Sequence, residues 1–371
     1  MTSESFFKRI ETHYGHQLPF VIYRKPRETN VQALLQQTND LYLVNDFTEN
    51  GFVFAPFDDA ESSVLMPIDH SESLVVSAVS FNDVVAAPTN TGFSVEEKAQ
   101  HILLVKKGIS AINEKYFEKV VLSRKETVPL TDASPLSIFK NLLKNYPLAF
   151  VYCWYHPKVG LWLGATPETL IKIHGDQLSI MALAGTQVYK GSLDVIWKEK
   201  EQDEQKYVTD FIIDTLKPLV ESLHVSGTET VKAGALLHLK TMVSARLKAT
   251  ATLKKLISRI HPTPAVCGLP KDPAKQFILE HENYNRAFYT GFLGELNFET
   301  TKLPRTGKRN IENRAYAITQ KSTQLYVNLR CMQLKETQAI IYVGGGITAH
   351  SKAEAEWEET VSKSLTIKNI L

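Results

Sequence analysis

The chain has 371 residues, 43% of them hydrophobic, with 42 lysines and arginines against 40 aspartates and glutamates. That is ample for a large buried core, and the near-balance of charge gives no reason to expect nucleic acid or an anionic membrane as a partner. There is no long apolar run to span a membrane and no apolar core of a cleaved signal in MTSESFFKRIETHYG; the scattered Cys153, Cys267 and Cys331 form no metal-ligand spacing and read as buried, reduced thiols of a cytoplasmic protein.

The first ninety residues mix short strands and turns, such as LYLVNDF before TENG and FVFAPF before DD, and AAPTNTGFS (residues 86–94) reads as a surface loop. Ser94 then opens a helix with a capping box to Glu97, and Ala99, Ile102, Leu103, Ile109 and Ile112 keep helical spacing. KVVLSRKETV is β-branched and reads as a strand, followed by FVYCWY and LWLGA on either side of HPKVG. TLIKIHG and DQLSIMALAG form a hairpin about Gly175 and Asp176, and residues 199–223 form one long helix. QLYVNLRCMQL and AIIYVGGG pair across Lys335-Glu336-Thr337, and a last helix starts near Ser351. Hairpin-like strand runs separated by long helices predict an α+β fold rather than alternating βαβ units.

Several polar patterns could carry chemistry. Glu201 and Glu204 are three apart and share a helix face with Val208, Phe211 and Ile212, the predicted buried stripe. They are either a first turn favoured by the helix dipole or half of a cation site. Glu356 and Glu359 repeat the spacing in KAEAEWEETVSK, beside Trp357, Val361 and Leu365, and are either a solvated face or the other half. Two such pairs suit magnesium, which takes oxygen ligands. VGGGIT leaves backbone amides open to a ligand or is an ordinary turn; it matches neither a P-loop nor a dinucleotide fingerprint. Alternation puts Tyr326, Asn328 and Arg330 on one strand face and Leu325, Val327 and Leu329 on the other. Arg330 could grip a carboxylate bidentately or face solvent. Lys119 is a surface lysine or, if buried, a base; Glu168 in GATPETL is a turn residue or a general acid.

In order, KVVLSR, GATPETL, ALAGTQ, KEQDEQKYV, HPTPAVCGLP, FYTGFLGEL, LYVNLRC, GGGIT and EAEWEET resemble the chorismate-utilising family of isochorismate, salicylate, anthranilate and aminodeoxychorismate synthases. The resemblance runs from residue 117 to residue 365 and is weak over residues 1–90, with the whole chain, 1–371, expected to form a single chorismate-binding domain. It implies two large antiparallel sheets packed together with flanking helices, a monomer, chorismate as substrate and Mg2+ as cofactor. By the same resemblance, Glu204 and Glu359 bind the metal directly and Glu201 and Glu356 through water. Gly185 and Thr186 meet the ring carboxylate, and Arg330, Tyr289 and the Gly346 amide meet the enolpyruvyl carboxylate. His261 of HPTP matches a further site position.

Two positions sort the reactions within the family. Ammonia-using members usually carry glutamine where this chain has Lys119, and aminodeoxychorismate synthases carry a lysine where it has Ala184. Lys119 as the base that activates water, with Glu168 as the acid, implies an isochorismate synthase serving menaquinone or siderophore synthesis. Salicylate synthase is the nearer alternative and a silent ligand-binding relative the further one. Gln187, Gln205 and GGG depart from the family's usual arginine, histidine and GAG.

Overall fold

The computed structural model describes residues 1–77, 79, 94–130, 134–234, 236–302 and 318–371; the loop expected at 86–93 lies outside them. The chain runs α1 (Ser3–Gly15), β1 (Phe20–Arg24), β2 (Val31–Gln36), β3 (Tyr42–Leu43), β4 (Gly51–Ala55), β5 (Val64–Pro67) and β6 (Ser71–Val76). Then come α2 (Val95–Asn113), β7 (Lys119–Pro129), α3 (Pro135–Asn145), β8 (Phe150–His156), β9 (Gly160–Thr166), β10 (Thr169–His174) and β11 (Gln177–Val188). The remainder is α4 (Glu199–Leu216), β12 (Val220–Val225), β13 (Glu229–Ala233), β14 (Leu236–Leu247), α5 (Leu253–Ile260), β15 (Gly268–Leu269), α6 (Lys271–His281), β16 (Phe292–Lys302), β17 (Ile318–Val327), β18 (Cys331–Lys335), β19 (Gln338–Ile347) and α7 (Ala353–Lys368).

The strands form two antiparallel sheets, ordered β15-β7-β19-β18-β9-β8-β1-β2-β6 and β12-β14-β11-β10-β17-β16-β4-β5-β3, with β13 also on β14. The α+β expectation of two large antiparallel sheets with flanking helices holds. Between the sheets lies an aromatic core that includes Phe52, Phe54, Phe150, Tyr152, Trp162 and Tyr326. The Phe150 and Tyr326 rings, one from each sheet, stack 4.1 Å apart, a contact worth about 0.5–1.5 kcal/mol beyond burial. The outer face of the first sheet packs on α1 and α3 through Phe6, Ile10, Phe139 and Leu142; that of the second packs on α4 and α5 through Val208, Ile212 and Leu256. The N-terminal residues supply strands to both sheets. No described helix is long and apolar enough to cross a membrane.

Some local expectations shift. In α2 the buried residues are His101, Val105, Gly108 and Ile112, while Leu103 is 57% exposed, so the helix is rotated from the predicted stripe. Ser94 does cap it, accepting from the amides of Glu96 and Glu97. The long helix stops at Leu216, where Lys217 and Pro218 turn the chain into β12. LYVNLRC is not one strand. β17 ends at Val327 in one sheet and β18 begins at Cys331 in the other, so Arg330 sits in the crossing, with φ of 48°, and not on a strand face.

Candidate active site

The site grows out of two such crossings. β9 belongs to the first sheet and β10 to the second, and Pro167 and Glu168 join them. The return crossing, Asn328 to Arg330, lies beside it. The Val327 amide donates to the Glu168 carbonyl at 3.1 Å, and the Ala165 amide to the Arg330 carbonyl at 3.0 Å. Asn328 pins the seam: its side chain accepts from the Tyr152 hydroxyl at 2.6 Å and donates to the Phe288 carbonyl at 2.9 Å.

These crossings open on a cleft whose empty volume is about 660 Å³, lined among others by Lys119, Glu168, Gly185, Thr186, Tyr289 and Arg330. Glu204, His238, Lys363 and the run Gly344–Gly346 also face it. Lys119 opens β7, and its register neighbours on β19 are glycines: Val121 opposes Gly346 and Ser123 opposes Gly344. A Cβ on Gly346 would come within 2.9 Å of Glu204 Oε1 and 3.1 Å of Lys119 Cε, so glycine there lets the lysine and glutamate close on the backbone. On the facing sheet, β11 shifts register between Ala184 and Gln187, and Gly185 takes φ of +70° against Glu201; this bulge turns the Gly185-Thr186 backbone toward the cleft.

Charge in the cleft is unusual for its burial. Lys119 is 1% exposed, has no hydrogen-bond partner among the described residues, and burial pulls its pKa down. Glu168 is 4% exposed; burial pushes its carboxyl up to about 8 against the opposing pull of Lys119, Arg330 and Lys363. The Arg330 guanidinium has no hydrogen-bond partner among the described residues. Arg330 is half-buried, and a carboxylate would satisfy its open donors.

Behind Lys119, α4 and α7 bring three carboxylates around one ammonium. Lys200 Nζ lies 2.7 Å from Glu356 Oε1, 3.6 Å from Glu204 Oε1 and 3.8 Å from Glu359 Oε2. Lys363 holds Glu359 Oε1 at 2.5 Å and donates to the Gly344 carbonyl at 3.0 Å. Burial opposes ionisation of Glu359, but Lys363 and Lys200 outweigh it and hold its carboxyl low; Glu356 is raised by burial. Glu204 Oε1 and Glu356 Oε2 are buried without a hydrogen-bond partner. No three described His, Cys, Asp or Glu side chains are spaced to hold a metal as they stand; the Lys200 ammonium lies among these three.

Two expected residues join neither the cleft nor the carboxylate cluster behind it. Glu201 turns back to its own helix start, where its Oε2 accepts from the Lys198 amide at 3.1 Å. His261 donates through Nε2 to the Pro56 carbonyl at 3.1 Å and packs edge-on against Phe292. Three residues that the sequence reading passed over take part: Lys363 and His238 line the cleft, and Lys200 stands among the carboxylates behind it. His238 Nδ1 lies 2.8 Å from the Gly185 carbonyl; a carbonyl only accepts, so Nδ1 carries the proton and Nε2 is a bare lone pair. Nε2 is buried without a partner, and burial with the nearby Arg330 pushes the imidazole down to about 3.

A model of the chorismate binding enzyme family matches residues 59–301, well over half the chain, and a second chorismate binding enzyme model matches residues 315–369. The chain belongs to this family. Among curated members, it is 27% identical over 287 residues to the salicylate biosynthesis isochorismate synthase of Pseudomonas aeruginosa, covering 75% of this chain and 56% of that protein. It is likewise 27% identical over 291 residues to isochorismate synthase MenF of Pasteurella multocida, covering 74% and 62%. The match thus spans less than two-thirds of either relative. The family fold is shared with a solved structure of MenF, the menaquinone-specific isochorismate synthase of Escherichia coli, at TM-score 0.72 and 19% identity over 95% of this chain and 88% of that one.

Proposed function

We propose that this chain is an isochorismate synthase, adding water at C2 of chorismate and expelling the C4 hydroxyl. The observation that carries the reading is the pair Lys119 and Glu168 on one cleft, both buried and both shifted toward their neutral forms. Neutral lysine can take a proton from water, and a carboxyl still protonated near neutral pH can give one to a poor leaving group. An ammonia-using relative has no need of a base at Lys119. The isochorismate synthases among the matched relatives support the same reading.

In this reading Arg330 binds the enolpyruvyl carboxylate with help from the Tyr289 hydroxyl and the Gly346 amide, a fork-and-amide grip on a planar anion. The backbone of Gly185 and Thr186 meets the ring carboxylate. His238, fixed as the Nδ1–H tautomer, offers Nε2 as an acceptor to a substrate hydroxyl.

The oxygen-only chemistry of Glu204, Glu356 and Glu359, the two orphaned oxygens and the ammonium standing among them fit a hard divalent cation. Glu204 and Glu359 would hold Mg2+ directly, with Glu356 acting through water; Glu201, turned back to the Lys198 amide, takes no part. When bound, it would supply positive charge to the ring carboxylate. Mixing the purified protein with chorismate and Mg2+ and separating the products tests the whole reading. Isochorismate is the expected product; salicylate with pyruvate would assign the alternative, and unchanged chorismate would remove both.

A further inference from the structure

Tyr289 reaches the cleft from a turn that is strained on both sides of it. Ala287 and Thr290 take φ of 47° and 62°, a left-handed backbone that residues other than glycine rarely adopt and a β-branched threonine least of all. Such a backbone persists only where its surroundings over-determine it, and it collects at functional sites. The turn is tied to the Arg330 crossing: the Thr290 amide donates to the Asn328 carbonyl at 2.9 Å, and the Asn328 amide to the Gly291 carbonyl at 2.8 Å. The Tyr289 ring stacks on Tyr342 at 5.6 Å. Its hydroxyl lies 3.0 Å from the point where Gly344 would carry a Cβ, so it stands against the glycine run of the cleft wall.

Behind this turn lies a buried ion pair that the proposed chemistry does not use. Arg286, which opens the turn, and Glu282, just past α6, have side chains 2% and 1% exposed. They meet in a two-point fork: Arg286 Nη2 donates to Glu282 Oε1 at 2.6 Å and Nε to Oε2 at 2.7 Å. The guanidinium also donates to the Val121 carbonyl at 2.7 Å, the Val266 carbonyl at 3.0 Å and Thr290 Oγ1 at 3.3 Å. Glu282 Oε1 accepts from the Ser123 amide at 2.7 Å and its hydroxyl at 2.8 Å. Val121, Val266, Tyr289 and Thr290 all line the cleft. One pair thus joins three pieces of the cleft wall: β7, the segment entering β15 and the Tyr289 turn. A buried ion pair is weak ground for stability, because apolar residues of similar volume often serve as well. Those residues would lack the directed bonds of the fork.

We propose that Glu282 and Arg286 are positioning residues for ligand binding: they hold the strained turn so that the Tyr289 hydroxyl is set in the cleft before the ligand arrives. This rests on the reading in which Tyr289 helps Arg330 grip the enolpyruvyl carboxylate of chorismate. A hydroxyl already in place spares the ligand the cost of ordering it, so the pair acts on affinity. Without the fork, Ala287 and Thr290 are free to relax toward ordinary φ, and the hydroxyl leaves its place beside Gly344. Binding then weakens, while Lys119 and Glu168 keep their positions for whatever substrate is bound.

The experiment replaces the pair by apolar residues of similar size, Glu282→Leu with Arg286→Met, in the wild type and in Tyr289→Phe. Chorismate Kd is read by calorimetry, with KM and kcat alongside. In the wild type the replacement is expected to raise Kd and KM by about 10-fold, within the range of coupling inside one network, and to leave kcat within about 3-fold. In Tyr289→Phe, which has no hydroxyl to place, it should change Kd by less than about 3-fold. An unchanged Kd in the wild type, equal losses in both backgrounds, or a loss confined to kcat or to thermal stability overturns the proposal. Should the apolar pair fail to fold, Arg286→Lys, which keeps the charge and loses the fork, goes through the same comparison. A wild type that binds chorismate and makes no isochorismate removes the functional reading, and the Kd comparison still decides this inference. A wild type that does not bind chorismate brings down both; an active wild type with equal losses in the two backgrounds removes this inference alone.

Discussion

Glu168 and Arg330 occupy neighbouring crossings between the same two sheets, and each crossing donates a backbone hydrogen bond to the carbonyl of the other's key residue. The proposed acid and the proposed anchor are thus placed by one piece of architecture, although 162 positions part them in the chain.

Removing either end of the proposed acid–base pair should stop chemistry and spare binding. Lys119→Ala and Glu168→Gln are each expected to lower kcat by about 10²-fold or more. Chorismate binding, followed by calorimetry, should survive, since Arg330 and the carboxylate cluster are intact. Near wild-type turnover by Lys119→Ala would move the base elsewhere.

The rate should be bell-shaped in pH. Glu168 gives its proton only while protonated, and its carboxyl stands at about 8, so kcat/KM falls as pH rises through that region. Lys119 must be neutral to act, so the rate also falls on the acid side, below its lowered pKa. A rate that does not fall as pH rises through about 8 counts against Glu168, and the lack of any fall on the acid side counts against Lys119.

The same shift has a stability consequence. A carboxyl whose folded pKa is above its unfolded value favours the fold fully below the unfolded pKa, and loses that favour as pH rises through the folded one. For Glu168 the window runs from about 4.5 to about 8. Glu168→Gln should therefore be more stable than wild type at pH 8, by on the order of 1–3 kcal/mol, and gain little at pH 4. Denaturant midpoints at the two pH values measure this; equal differences would show that the carboxyl is not buried in solution.

Arg330→Lys keeps the charge and loses the fork. Its kcat/KM is expected to fall by about 2–4 kcal/mol of transition-state stabilisation, the range for a broken buried charge pair. Wild-type kcat/KM in this variant would release Arg330 from the substrate.

Lys200 holds the same three carboxylates that the proposed divalent cation would take. Two ammonium groups, Lys200 and Lys363, face three carboxylates, which leaves a single negative charge for an added ion to meet. Lys200→Gln should therefore lower the Mg2+ concentration for half-maximal activity by about 10-fold, whereas Glu204→Ala should nearly abolish activity with the fold retained. Full wild-type turnover in excess chelator would exclude a magnesium requirement.

How much of this was legible in the sequence depended on range. Gly175 and Asp176 did form a hairpin turn between β10 and β11, because that signal is local. Glu204, Glu356 and Glu359 were marked by their spacing, whereas Lys119, which shares its strand with Arg124, Lys125 and Glu126, was singled out only by the family resemblance. The same spacing rule, extended by one, would have found Lys200 four before Glu204 and Lys363 four after Glu359. The crossing at Arg330 had no local mark: LYVNLRC alternates as one strand would, and only pairing with partners far along the chain sends its halves to different sheets. His238 looked like any histidine in a β-strand, since its partner, the Gly185 carbonyl, is set by the bulge on a neighbouring strand. His261 drew notice through HPTP, yet that segment carries its ring to the Pro56 carbonyl instead.

The aromatic core between the sheets acts as a gauge block for the reaction. Phe150 against Tyr326, and the Tyr152 hydroxyl on Asn328, set the spacing of the two sheets at the seam from which Glu168 and Arg330 project. Thinning that block, as Phe150→Leu would, lets the sheets settle closer, and a shift of about 1 Å at the reacting groups can cost on the order of 10²-fold in rate. Residues outside the cleft thereby govern the alignment of the proposed catalytic groups, and turnover should respond to their size even where the fold tolerates the change.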